Sequence, residues 1–246
     1  MGKQLDRKKS RNSRQYGDAE IIEFKGTKFQ NDRVLPPIKA LNSTQAQYLA
    51  ALRSSRQIVV LGPAGTGKTW IAATHAADLY RAGRIEKIIL TRPNVPCGRS
   101  LGFFPGSLQE KFAPWAVPIA EAIKERIGGG VFDIALKRGE IEMVPFEVMR
   151  GRSWKNAFIL LDEAQNTSIV EIKTFLTRVG ENCISVVNGD VSQCDVHGAS
   201  GLGRMIELIR EHELPVPVIE FALDDIVRSG LCAMWARAFE GEPAQA

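Results

Sequence analysis

The octapeptide GPAGTGKT at residues 62–69, set directly behind the apolar run Ile58-Val59-Val60-Leu61, constrains this chain more than any other feature. An apolar run without polar alternation suits a strand buried on both faces, as in a parallel sheet. Glycines at 62, 65 and 67 tolerate torsions that other residues resist, so the loop can curl and aim several N–H groups at one anion. A helix starting here adds the positive end of its dipole at the same point. Lys68 brings a charge for the outer phosphates, and the Thr69 hydroxyl can ligate a divalent cation. The pattern G-x-x-x-x-G-K-[ST] is met at every fixed position. Gly62, Pro63, Ala64, Gly65, Thr66, Gly67, Lys68 and Thr69 are therefore the expected cradle for nucleotide phosphates.

Around the cradle, strand-like and helix-like segments alternate. A helix is expected from about Thr44, where Thr44 and Gln47 have capping-box spacing, to just before Arg56. Next come a strand at 58–61, a helix at 67–82 stopped by Gly83, and a strand at 87–91. Residues 92–106 form a Pro/Gly-rich loop, and the Ser107/Glu110 spacing opens a helix to about Ile127. Gly128-Gly129-Gly130 ends that helix, before a short helix near 131–138 and a strand near 140–144. After a strand at 158–161, Ser168 and Glu171 open a helix. Its residues Ile169, Ile172, Phe175, Leu176 and Val179 follow the 3.6 period, and Gly180 stops it. A strand at 184–187, a helix at 200–211, a strand at 217–222 and a helix at 225–239 complete the series. Such alternation predicts an α/β fold with a mostly parallel sheet and helices on both faces.

The ends of the later strands supply the rest of a site. Asp162 and Glu163 directly follow the apolar run 158–161. With the cradle in the same sheet, Asp162 falls where a carboxylate holds the shell of a magnesium ion. Glu163 falls where a carboxylate polarises an attacking water. Gln165 is expected near the γ-phosphate or at an adjoining surface. The segment 188–195 ends the next strand, and the carboxyl ends of parallel strands line the ligand crevice, which makes Gln193 a candidate γ-phosphate sensor. Gln45 precedes the first core strand, and its amide can donate and accept at once, as the edge of adenine requires. The cofactors expected are ATP and Mg²⁺.

Charge sharpens the domain organisation. The net charge is +4, but residues 1–15 hold six basic side chains against Asp6 alone, so the body is close to neutral. Residues 1–17 are expected to be a disordered basic arm, able to grip phosphates or merely solvated. Residues 18–40 form an extension, with short strand character at Ile21–Phe24 and a Pro36-Pro37 linker; 41–246 form the nucleotide domain. No apolar run approaches the roughly 20 residues a bilayer requires, and none follows the N-terminal charges, so a cytoplasmic location without membrane contact is expected. The four cysteines have no CxxC pair or local histidine partner, which argues for reduced thiols and against zinc.

The motifs in order resemble those of the PhoH family, P-loop ATPases close to superfamily 1 helicases. The resemblance covers roughly 40–240 and rests on GPAGTGKT at 62–69, LTRPNVPCG at 90–98, LGFFPGSLQEKFAPWAVP at 101–118, MRGRSW at 149–154, ILLDEAQNTS at 159–168, FLTRVG at 175–180, GDVSQCD at 189–195, SGL at 200–202 and DIVRSGL at 225–231. It implies a RecA-like P-loop NTPase core, ATP hydrolysis, and RNA or DNA unwinding. Arg99 replaces a usual acidic residue, and Ser229-Gly230 replaces the histidine usual after DIVR. No nuclease domain of the kind fused to some relatives is expected, and the short length and basic arm are similar to members carried by bacteriophages. Two-domain helicases close ATP between domains with an arginine from the second. With one core domain, a homo-oligomer such as a hexameric ring is expected to share the site, with Arg228 the first candidate finger and Arg178 and Arg152 next. Single-stranded RNA or DNA is expected at Thr91-Arg92-Pro93, with Phe103, Phe104 and Trp115 as stacking surfaces. A regulatory switch without unwinding is the alternative. The water-activating glutamate disfavours a small-molecule kinase.

Overall fold

The fold is that of a computed structural model, which describes residues 35–93, 108–146, 149, 151–191, 193, 200–228, 230, 231, 234, 235 and 238. Within the third helix, side chains are described from Trp115 onward. The expected arm at 1–17, the strand character at 21–24 and most of the 92–106 loop with Phe103 and Phe104 lie outside the described residues. The elements below all belong to the unit Asp32–Ala246.

Six strands are described: β1 (Gln57–Leu61), β2 (Lys87–Arg92), β3 (Ile141–Pro145), β4 (Ala157–Leu161), β5 (Ile184–Gly189) and β6 (Val218–Glu220). They form one sheet in the order β3-β2-β4-β5-β1-β6, and every pairing is parallel. Six helices are described: α1 (Ser43–Ser54), α2 (Lys68–Arg81), α3 (Leu108–Ile127), α4 (Gly129–Lys137), α5 (Ile169–Leu176) and α6 (Gly201–Glu211). Val59, Leu61, Ile89, Ile159, Leu161 and Val187 face a core closed by Ile172 and Phe175 of α5 and Leu202 and Met205 of α6. Their alternates Ile58, Val60, Ile88, Leu90, Phe158, Leu160 and Val186 are equally buried and face the other side, where α2 lies against β4 and β5. Burial on both faces is why these strands read as continuous apolar runs. The chain leaves β1 for β2, with β5 and β4 lying between them in the sheet, while β6 joins β1 on its other edge. The crevice at this change of direction is where such sheets hold ligands.

Four boundaries differ from expectation. Asn42, not Thr44, caps α1: its side chain accepts the Gln45 N–H at 2.8 Å. Gly128 takes φ 84°, but Gly129 and Gly130 are already helical. α5 has the expected Ser168/Glu171 capping box but ends at Leu176, well before Gly180. There Val179 bridges to Trp154, and a Cβ on Gly180 would meet the Trp154 carbonyl at 2.3 Å. The last helix does not begin at 225: Leu223–Asp225 is a 3-10 turn, 226–228 are not helical, and Gly230 is the next described helical residue.

Candidate functional site

The loop between β1 and α2 is held open from beneath. Gly62, Gly65 and Gly67 take φ of 130°, 89° and 88°, torsions that keep the backbone curled. Closeness matters as much as torsion: a Cβ on Gly62 would meet the Phe221 carbonyl at 2.4 Å. Thr66 is buried, and its hydroxyl donates to the Pro63 carbonyl at 3.1 Å. The Lys68 ammonium donates to the Gly62 and Pro63 carbonyls at 2.5 and 2.8 Å, and so lies back over the loop. Burial pushes the Lys68 ammonium below its ordinary range, while the nearby carboxylates of Asp190, Asp162 and Glu163 oppose that shift.

Opposite the loop, β4 ends in the two acidic residues. The Thr69 hydroxyl donates to Asp162 Oδ1 at 2.9 Å, joining the start of α2 to the end of β4. Loss of solvation raises Asp162 above the usual carboxylate range; the charge of Glu163 adds to this, and the Thr69 hydroxyl works against it. Glu163 has φ 54° and ψ 40°, the left-handed region that a glutamate rarely occupies. What holds it there is Gln165, only 1% exposed. The Gln165 amide donates to Glu163 Oε2 at 2.6 Å and accepts the Asp190 N–H at 3.0 Å, tying β4 to β5. Gln165 thus braces the acidic pair. Gly189 leaves room for it: a Cβ there would lie 3.0 Å from Gln165 Oε1. The donor set suits a divalent cation bound by hydroxyl, carboxylate and phosphate oxygens. Thr69 and Asp162 are the residues that would hold it.

A cleft of about 790 Å³ joins these groups. Lys68, Thr69, Asp162, Glu163, Asp190, Gln193 and Arg228 line one part of it. Gln193 stands at its edge, and its backbone N–H donates to the Asp190 carbonyl at 3.1 Å. Gln45, 3% exposed, lines it too, but part of its amide is already engaged. Its Nε2 donates to the Thr66 carbonyl at 3.0 Å and its Oε1 accepts the Leu41 N–H at 2.9 Å, leaving one hydrogen and one lone pair for a base. Sequence reasoning missed the rest of this wall. Trp70, 47% exposed, faces Pro36, Pro37, Ile38 and Leu41 across the cleft. Arg126 fixes that linker: it grips Asp78 through two bonds of 2.7 Å and donates to the Pro36 carbonyl at 2.9 Å. Only Trp70 had a local signal, an aromatic side chain directly after the lysine and threonine of the loop.

The three candidate arginines separate. Arg228 is in the cleft of its own chain, where Val227 N–H donates to the Gly65 carbonyl at 3.0 Å and the Arg228 stem packs on Gly65. Expected as a finger from a neighbouring chain, Arg228 stands by the cradle of its own chain. Arg152 pairs with Glu142, which also binds Lys87 at 2.9 Å, and its guanidinium lies 5.4 Å from the Trp154 ring centre. Arg178 lies by Trp154 at the amino ends of β4 and β5, the opposite end of the sheet from its own cradle. Thr91 is buried, while Arg92 lies 5.8 Å from the Trp115 ring centre.

The family model for PhoH-like proteins matches residues 37–240. Protein PhoH of Escherichia coli (strain K12) is 41% identical over 214 residues, which is 85% of this chain and 60% of that protein. A PhoH-like protein of Bacillus subtilis (strain 168) is 39% identical over 205 residues, 82% of this chain and 64% of that protein. The chain therefore spans under two thirds of these relatives' length. Among solved structures, the large terminase of thermophilic bacteriophage D6E has a similar fold, with a TM-score of 0.50 at 10% identity, over 84% of this chain and 52% of that one. The chain belongs to the PhoH-like family and has a P-loop nucleotide-binding fold. No helix among the described residues is long and apolar enough to cross a membrane.

Proposed function

We propose that this PhoH-like chain binds ATP with Mg²⁺, hydrolyses it, and couples turnover to remodelling of single-stranded RNA or DNA as a homo-oligomer. One observation carries the hydrolytic part: Glu163 is fixed by Gln165 beside the Thr69–Asp162 pair, on the cleft wall that faces Lys68. A carboxylate so held suits a base that orients water rather than a flexible surface acid. Lys68 leaves the Gly62 and Pro63 carbonyls for the β and γ phosphates, which replace two neutral acceptors by charged ones. The N–H groups of the loop and the start of α2 bind the same phosphates. Thr69 and Asp162 would hold Mg²⁺, which when bound would supply charge neutralisation for the phosphates. Gln193 contacts the terminal phosphate from the end of β5. Arg228 stabilises the charge that develops during transfer, acting within its own chain. Gln45 meets the base edge, and Trp70 and Leu41 offer apolar surface for its faces.

The nucleic-acid part rests on less of the chain. The basic arm at 1–15, together with Arg92 over Trp115, supports a single-strand contact by charge and stacking. In the proposed oligomer Arg178, at the opposite end of the sheet from its own cradle, would meet a nucleotide on another copy. The test is ATP turnover of the full chain with and without single-stranded RNA and DNA. Wild type should hydrolyse ATP faster with one of them, Lys68→Ala should lose nucleotide binding, and Glu163→Gln should bind ATP but stall. Normal turnover by Glu163→Gln removes the proposed base. Basal hydrolysis with no stimulation and no salt-sensitive binding favours an ATP-dependent regulatory switch.

A further inference from the structure

Beneath the cradle lies Asn188, which none of the proposed steps uses. It is fully buried on β5, and neither its amide nitrogen nor its oxygen has a hydrogen-bond partner among the described residues. Leaving both ends of a buried amide unmet is destabilising, so such a residue points to a state in which it is met. Its neighbours identify that state. Leu161 of β4 pairs with Val187 of β5, and one step further along the parallel strands sets Asp162 beside Asn188, at the ~5 Å spacing of adjacent strands. Leu161 and Val187 both face the α5 and α6 core, so alternation turns Asp162 and Asn188 toward α2. The Thr69–Asp162 bond places the carboxylate on that side. On its other flank Asn188 has Val60, which offers no polar group.

We propose that Asn188 is a positioning residue of the cation site: its amide donates to Asp162 when the Thr69 hydroxyl turns from that carboxylate to the cation. This rests on the Mg²⁺–nucleotide function proposed above. In the structure Thr69 donates to Asp162 Oδ1, and the Asn188 amide has no partner among the described residues. With cation and nucleotide bound, the Thr69 oxygen is committed to the metal, and Asp162 needs another donor to keep its orientation. Asn188 is a buried donor beside it on the same face of the sheet.

Asn188→Val and Asn188→Thr test this, because both are β-branched and suit a buried strand, while only threonine keeps a donor. A fluorescent ATP analogue is titrated onto the full chain in EDTA and then over a range of Mg²⁺ concentrations. Asn188→Val should need ~10–100-fold more Mg²⁺ for half-maximal tightening of nucleotide binding, the usual effect of losing a group that orients a metal ligand. Its affinity in EDTA should match wild type, and Asn188→Thr should recover most of the Mg²⁺ response. Equal Mg²⁺ midpoints in wild type, Asn188→Val and Asn188→Thr would overturn the assignment, as would a loss by Asn188→Val that is equally large in EDTA. If Asn188→Val does not fold, Asn188→Ala is scored by the same criteria. Wild type with no Mg²⁺ response at all would overturn the cation site as well; wild type that responds like its variants removes Asn188 alone.

Discussion

Replacing Gln165 by leucine keeps most of the side-chain volume and removes its bonds to Glu163 and to the Asp190 N–H. The first, to Glu163 Oε2 at 2.6 Å, is a hydrogen bond to a charged group, of the kind that contributes about 1.5–3 kcal/mol. It opposes the left-handed torsion of Glu163, φ 54°, which costs a non-glycine residue about 1–2 kcal/mol. Without the bond the two terms no longer offset, and the carboxylate leaves its position beside the Thr69–Asp162 pair. If ~1.4–2.7 kcal/mol of positioning is lost at the transition state, turnover falls ~10–100-fold. The second bond, from the Asp190 N–H at 3.0 Å, is lost from a buried donor at about 1–3 kcal/mol of fold stability. The assay is phosphate release at saturating ATP and Mg²⁺, with nucleotide affinity and chemical denaturation measured on the same protein. Affinity should stay near wild type, since Lys68 and the loop are untouched. Turnover within about twofold of wild type in a folded Gln165→Leu protein would refute the reasoning, for the base would then need no brace.

Gly62→Ala should destabilise by about 3 kcal/mol or more and weaken nucleotide binding, because its Cβ would meet the Phe221 carbonyl at 2.4 Å at φ 130°; a denaturation midpoint equal to wild type contradicts this. Burial lowers the His75 pKa below its ordinary value. The unfolded chain therefore binds the extra proton first: the contribution is full above the unfolded histidine pKa, near 6.5, and is lost as pH falls through it toward the folded value. Denaturation from pH 8 to 5 should show that slope, and His75→Gln should flatten it. Arg152→Ala removes a partly exposed ion pair with Glu142, so stability should drop by no more than about 1 kcal/mol with ATP turnover unchanged; a large loss of turnover would return Arg152 to the catalytic machinery.

The buried strands and the loop were legible because their signals are local. An unbroken apolar run, three glycines and a lysine-threonine pair need no distant partner to be interpreted. Ser168 and Glu171 were legible for the same reason, since a capping box closes within four residues. Asn42 and Thr44 are both good caps, and choosing between them takes the N–H geometry of the first turn. The segment after β6 reads as helix, yet Val227 spends its N–H on Gly65, a contact across the whole domain. Gln165 was visible as a site residue but not as a brace, because its partners on β4 and β5 meet only in the folded sheet. Arg228 was legible as a site residue, and its attachment to its own loop was not. Trp70 and Arg126 owe their place on the cleft to a linker that no periodicity describes.

The cradle is a meeting point of distant parts of the chain. Gln45 supports Thr66 from one side. From the other, Phe221 N–H donates to the Leu61 carbonyl at 2.8 Å and Val227 N–H to that of Gly65 at 3.0 Å. Asn42, which caps α1, also donates to the Asp225 carbonyl at 3.3 Å, closing the ring between the two ends. During synthesis the glycine loop leaves the ribosome early, but the segment that braces it follows some 160 residues later. At about 5–20 residues per second, that is an interval of roughly ten to thirty seconds. Throughout it the loop lacks its far wall. If the cradle takes nucleotide as proposed, capture during translation should therefore wait for the docking of β6 and the turn behind it.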